Sequence, residues 1–252
     1  MSTAPETIRA GGVHGWEDLV GHVHAPHVQM LHNAFIAGDW RRRLLLLGDF
    51  GFAKTSFARF LIAAAACLQG EPATANPCWS CSNCMRIARG VGGPEDFSYW
   101  EVDCQGLSAE RAREYRNEFE MVPDDRFAAV FFDEFGGASP QAMATFKKFL
   151  DGFGGLVIAA TTHDEVKNIP APVHERFQKF HLGTPEPTEV AEYLRRKCVT
   201  WEIRATREQI NEVVNVSQGS FRECLRILAE AANEPNRELK RSHIVAHRQQ
   251  VH

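Results

Sequence analysis

Between the apolar run RRRLLLL and the helix-like FARFLIAAAACL, the segment GDFGFAKTS (Gly48 to Ser56) holds two glycines, a lysine and two hydroxyls. An anion is bound well where backbone N–H groups turn toward it at the positive end of a helix, with one lysine and one hydroxyl in reach. Gly48 and Gly51 permit the turn, Lys54 reaches the outer phosphates of a nucleotide, and Thr55 ligates Mg²⁺. Asp49, Phe50, Phe52, Ala53 and Ser56 make up the rest of this cradle. The pattern is G-x-x-x-x-G-K-[ST], with Ala53 in place of its second glycine. As the first residue of the following helix, Ala53 is tolerable so long as its φ stays negative.

Phosphoryl chemistry needs a second half, an acid pair at the end of a neighbouring strand. AAVFFDEF provides it: Asp133 holds Mg²⁺ with Thr55, and Glu134 orients and deprotonates the attacking water. A further cluster is built for metal. Cys78, Cys81 and Cys84 have C-x₂-C-x₂-C spacing, and Cys67 closes the preceding helix. Four thiolates suit a tetrahedral structural Zn²⁺ site. Four cysteines also suit an iron–sulfur cluster, although no electron-transfer pattern adjoins them. Cys104, Cys198 and Cys224 are scattered, as core or surface thiols. His14, His22, His24, His27 and His32 crowd one segment without a ligand spacing, and read as surface or packing residues.

The chain that positions these groups has 252 residues, a formal net charge of −4 and 44% hydrophobic residues, enough for a sizeable core. No run approaches the roughly 18 apolar residues of a membrane helix, and MSTAPETIRAGG is no signal peptide. A cytoplasmic protein without a membrane partner is expected. The odd cysteine count and the missing signal favour metal over disulfides. Mild acidity argues against a protein wrapped in nucleic acid.

Strand-like and helix-like stretches alternate through the first two-thirds. RRLLLLGD, FSYWEVDC, RFAAVFFDEF and GGLVIAATTHD read as strands. KTSFARFLIAAAACL, SAERAREYRNEFEMV (capped by Ser108) and SPQAMATFKKFLDGF (capped by Ser139, with Pro140 in its first turn) read as helices. The alternation predicts an α/β fold with a parallel sheet. GTPEPTEV breaks the pattern, and only helical patterns follow. A nucleotide-binding domain over 1–182, with a metal module at about 67–84, and a small helical lid over 183–252 are expected.

With these residues placed, the chain resembles the AAA+ clamp-loader ATPases, especially the ATPase part of bacterial DNA polymerase III gamma/tau subunits. The resemblance runs from WEDLVGHVHAPHVQML to SFRECLRILAEAA. It implies the AAA+ P-loop core, ATP with Mg²⁺, and a Zn²⁺ held by Cys67, Cys78, Cys81 and Cys84. It puts Val20 and Gly21 near the adenine, Thr162 at the sensor position on the γ-phosphate side (Thr161 being the nearby alternative), and Arg222 as a cationic contact from the lid. Arg176 matches the arginine that reaches a neighbouring subunit's site, with Glu175 and Phe177 where the family has serine and cysteine; the plainer reading is an exposed arginine paired with Glu175. The minichromosome-maintenance helicases also carry alanine before their loop lysine. The family's collar has no counterpart up to His252, which fits either a shortened chain or a compact relative.

The function so implied is an ATPase switch in DNA replication, with other AAA+ subunits, a sliding clamp and primer–template DNA as partners. A nucleotide-binding scaffold with little turnover is one alternative. Another is a helicase-loading or transposition-type ATPase. Arg111, Arg113 and Arg116 are candidates for DNA contact, against a solvated helix face. The phenylalanines Phe131, Phe132, Phe135 and Phe153 are either core or a docking face.

Overall fold

The computed structural model describes residues 12–49, 51, 53–91, 93–94, 98–122, 127–218 and 220–248. Phe50 and Phe52 of the loop lie outside them. The chain order is α1 (Pro26–Ile36), β1 (Arg43–Leu47), α2 (Lys54–Ala66), α3 (Ser82–Ala88), β2 (Gly93–Pro94), β3 (Ser98–Asp103), α4 (Ala109–Glu120), β4 (Ala128–Asp133), α5 (Pro140–Gly152), β5 (Leu156–Thr161), α6 (Ala171–His174) and β6 (Gln178–His181). Four helices follow: α7 (Pro187–Thr200), α8 (Arg207–Val216), α9 (Phe221–Asn233) and α10 (Arg241–Arg248).

The sheet order is β2-β3-β4-β5-β1-β6, parallel from β3 to β6, with β2 added antiparallel at one edge. β1 is bonded on both sides, to β5 and β6, so its run RLLLL is apolar at successive positions rather than alternating. Alternate residues still separate by face. Leu44, Leu46, Phe131, Ile158 and Ala160 pack toward α2, while Leu45, Leu47, Phe132, Val157 and Ala159 join a cluster with α4 and α5.

Ser108 and Ser139 cap α4 and α5 as their sequences predict, each hydroxyl accepting from the backbone N–H three residues on. Phe131, Phe132 and Phe135 are fully buried and Phe153 is packed against the same core, so these rings are core and not a docking face. Cys104, Cys198 and Cys224 are buried thiols. α1, α3, α6, β2 and β6 are absent from the sequence-based expectation. β6 exposes three of its four residues, so no apolar run marks it. α1 begins at Pro26 amid histidines. Among the described residues no helix is long and apolar enough to cross a membrane.

The C-terminal helices bury their own cluster, which also takes in Val20. α9 is strongly amphipathic, with Phe221, Cys224, Leu225, Ile227, Leu228 and Ala231 on its inner face. Lys197 of α7 donates to Asp18 at 3.1 Å, both side chains being almost withdrawn from water. Removing one partner of such a pair leaves the other charge buried and uncompensated. Asp18→Ala is therefore expected to cost about 3 kcal/mol in urea unfolding. An unchanged midpoint and slope would show that water screens the pair.

Candidate functional site

Gly48 follows β1, and its N–H donates to the Thr161 carbonyl at the end of β5 (3.3 Å). The loop starts there and closes on α2. Gly51 has φ +87°, and a side chain at that position would meet Ser220 Oγ at 2.8 Å. Ala53 departs from expectation. The helix begins at Lys54, and Ala53 is its N-cap with φ +54°, in the left-handed region. A Cβ in that conformation costs about 1–2 kcal/mol. The physical reason is the junction itself: Ala53 caps α2 in a left-handed conformation, which the motif's usual glycine adopts without strain.

Lys54 is buried, with its Nζ donating to Gly48 O (2.7 Å) and Asp49 O (2.9 Å). Burial lowers its proton affinity; Glu134, Asp133 and Asp49 oppose that shift, and Arg222 adds to it. Arg222, on the first turn of α9, is thus within electrostatic reach of the loop although its side chain is exposed. One residue on, Thr55 Oγ1 donates to Asp133 Oδ2 at 2.9 Å, and the Glu134 N–H donates to Asp133 Oδ1 at 3.1 Å. Burial raises the proton affinity of Asp133, against these two donors. Glu134 is raised as well, by burial and then by the charge of Asp133, with Lys54 opposing. A hydroxyl beside a carboxylate is a donor pair suited to a hard cation such as Mg²⁺. Ser56 follows on the same turn of α2.

At the end of β5, the alternation puts Thr161 on the face of Val157 and Ala159, away from α2, and Thr162 follows directly after the strand. Asp133, the last residue of β4, lies on the face of Ala129 and Phe131, toward α2. Thr162 is buried, and its Oγ1 accepts from the Glu165 N–H (3.2 Å). Arg176 has partners outside the loop and the acid pair. It forms a two-pronged contact with Asp151 (2.7 and 2.8 Å) and donates to the Pro172 carbonyl. The ion-pair partner is Asp151 on α5 and not the adjacent Glu175. Ion pairs Arg111–Glu114 and Arg116–Glu120 occupy α4, as on a solvated helix face.

Val20 lines a narrow cleft of about 30 Å³ with Leu19, Ala53, Phe57, Leu182 and Phe221, between the loop and the C-terminal helices. Gly21 has φ +77°, and a side chain there would stand 2.8 Å from Pro185 Cβ. Phe57, Leu182 and Phe221 carry no motif and were not legible as site residues. A second cavity, about 400 Å³, borders Asp133 and Glu134 and is walled by Asp103 and the Arg59–Glu101 pair. That pair too lacks a sequence signal, since its members lie 42 positions apart.

The Sγ atoms of Cys67, Cys78, Cys81 and Cys84 all lie within 4.8 Å of one another. Four sulfurs about 2.3 Å from one tetrahedral ion stand about 3.8 Å apart, so the cluster suits a single Zn²⁺. A multi-iron cluster would spread its sulfurs wider. Backbone N–H groups of Ser80 and Cys81 donate to Cys78 Sγ (3.4 and 3.3 Å). Burial pushes the Cys78 thiol up, but these donors and the Ser80 hydroxyl bring it down to about 6. The histidines nearby pack instead of ligating: His32 stacks on Trp16 at 4.5 Å, and His14 faces Trp79.

No family model matches the chain. It is 24% identical over 225 residues to DNA polymerase III subunit gamma of Buchnera aphidicola subsp. Acyrthosiphon pisum, covering 88% of this chain and 60% of that protein. It is 25% identical over 214 residues to DNA polymerase III subunit gamma/tau of Mycobacterium tuberculosis (84% and 36%), and 24% identical over 198 residues to Protein STICHEL-like 2 of Arabidopsis thaliana (78% and 22%). The chain thus spans 60% or less of these curated relatives. Among solved structures it is similar to the Thermotoga maritima RuvB Holliday junction branch migration motor, with a TM-score of 0.60 and 11% identity over 94% of this chain and 72% of that one. The fold is that of the AAA+ proteins.

Two outcomes are expected. Ala53→Gly should raise stability by about 1 kcal/mol in urea unfolding, because glycine relieves the left-handed strain by more than it gains in unfolded-chain entropy. A loss of stability would mean that residue 53 has a negative φ in solution. Cys84→Ser should remove about one bound zinc per chain and lower Tm, as read by atomic absorption and calorimetry. Full zinc content in that variant would sink the four-thiolate site.

Proposed function

We propose that this chain, similar over most of its length to gamma subunits of bacterial DNA polymerase III, is an AAA+ ATPase subunit of clamp-loader type. The observation that carries the proposal is the 2.9 Å hydrogen bond from Thr55 to Asp133, which brings the loop and the acid pair into one site with Lys54 turned inward and Glu134 adjoining. Residues from about 183 act in this reading as a lid over the nucleotide. The adenine lies by Val20 and Gly21, and the narrow cleft between loop and lid widens to take it.

Backbone N–H groups of residues 48–56 cradle the phosphates at the N-terminus of α2, and Lys54 exchanges the carbonyls of Gly48 and Asp49 for outer phosphate oxygens. Thr55 and Asp133 would hold Mg²⁺, which, when bound, neutralises charge on the phosphates. Glu134 takes a proton from the attacking water, a role suited by its raised proton affinity. Thr162 and Arg222 contact the γ-phosphate from the sheet and the lid. Arg176 exchanges Asp151 for a phosphate of the neighbouring subunit and stabilises the charge that develops there. Turnover is then a switch between subunits that grips and releases a sliding clamp and primer–template DNA.

Two observations favour a second reading, a nucleotide-binding scaffold with little turnover: the strained Ala53 and the Arg176 held by Asp151. Hydrolysis assays on the protein with and without primer–template DNA separate the two. Turnover that rises with DNA and falls by on the order of 100-fold in Lys54→Ala and Glu134→Gln is expected, with Glu134→Gln still binding ATP. ATP binding without turnover, in the presence of candidate partner subunits, would favour the scaffold. No binding at all would end both readings.

A further inference from the structure

Glu134 adopts a backbone conformation that few residues with a side chain adopt. Its φ is +50°, at the start of the 3-10 turn Phe135–Gly137. Such a conformation persists only where surrounding structure imposes it. On one side Phe135 is fully buried against Phe132 and Phe177. On the other lies the segment leaving β5. A Cβ at Gly136 would stand 2.5 Å from Thr161 Oγ1, 2.6 Å from Glu165 Cβ and 2.8 Å from the Glu165 carbonyl oxygen. Only a bare glycine lets these two turns meet. Asn168 Nδ2 then donates to the Gly136 carbonyl at 3.2 Å.

The incoming segment is in turn pinned to Thr162. Thr162 Oγ1 accepts from Glu165 N–H (3.2 Å), Val166 N–H donates to the Thr162 carbonyl (3.1 Å), and Asn168 N–H donates to the Glu165 carbonyl (2.9 Å). Thr161 Oγ1 and Glu165 Oε2 are buried atoms with no hydrogen-bond partner among the described residues. Unpaired buried polar atoms are uncommon, and one of these, Thr161 Oγ1, lies directly against Gly136.

We infer that the Thr162–Asn168 segment is a positioning element for Glu134: locked onto the Glu134–Gly137 turn where Glu165 meets Gly136, it sets where the Glu134 carboxylate stands. The inference rests on Glu134 being the base of the proposed ATPase. A phosphate contact made by Thr162 displaces Glu165, and through Gly136 the displacement reaches the turn that carries Glu134. Occupancy of the site and placement of its base are thereby one mechanical unit.

Gly136→Ala, which drives a methyl into the lock, is expected to lower kcat by on the order of 100-fold with the affinity for a fluorescent ATP analogue unchanged. Asn168→Ala, which removes the donor to the Gly136 carbonyl, is expected to lower kcat in the same sense by on the order of 10-fold. Added to Glu134→Gln, either change should cost little further, because both act through that carboxylate. A Gly136→Ala protein that loses ATP affinity in proportion to kcat overturns the inference, as does a full further loss in the double variant. Full turnover in Glu134→Gln would instead sink the base assignment.

Discussion

Seventy-eight positions separate Thr55 from Asp133, and the hydrogen bond between their side chains depends on strand direction. In a parallel sheet every strand delivers its carboxyl end to the same edge. The register pairs Leu47 with Thr161, Asp103 with Asp133, and Phe132 with Ala159. The loop after β1, the acids after β4 and the threonines after β5 must therefore emerge side by side. Side-chain alternation then selects which of them face α2. Asp133 does, and Thr161 faces away.

That edge concentrates unfavourable features. Lys54 and Asp133 are largely removed from water, Glu134 has a raised proton affinity, and both Ala53 and Glu134 take left-handed backbone angles. Each would be costly alone, but together they offset one another. Lys54 lowers the proton affinity of Glu134, and Thr55 does the same for Asp133. The remaining strain is held by packing below the edge, where Phe57, Phe131, Phe132 and Phe135 are fully buried.

The cysteine module is tied to this base through Trp16. Its N–H and indole N–H donate to Asn76 Oδ1 and the Ala75 carbonyl, while its ring packs on His32, Phe35, Phe57 and Phe60. Phe57 is also a wall of the cleft beside the loop. The four thiols, the segment holding Val20 and the loop helix α2 thus share one packed junction. On the far side, α3 runs into Gly90, which lies against the Arg59–Glu101 pair bordering the acids.

Several features were determined by the sequence alone, because each depends on neighbours in the chain. Local spacing carried the loop from Gly48 to Ser56, the acid pair after an apolar run, the three clustered cysteines, the caps Ser108 and Ser139, and the parallel alternation. Other features depend on distant partners and left no local trace. β6 is a strand only because β1 offers it an edge, since its own residues are mostly exposed. The left-handed angle of Ala53 belongs to its place as the cap of α2, and the partner of Arg176 follows from where α5 ends. The same holds for Phe221 against Val20 and Glu165 against Gly136: nonlocal contacts are chosen by packing geometry, and a one-dimensional pattern does not encode which two surfaces will meet.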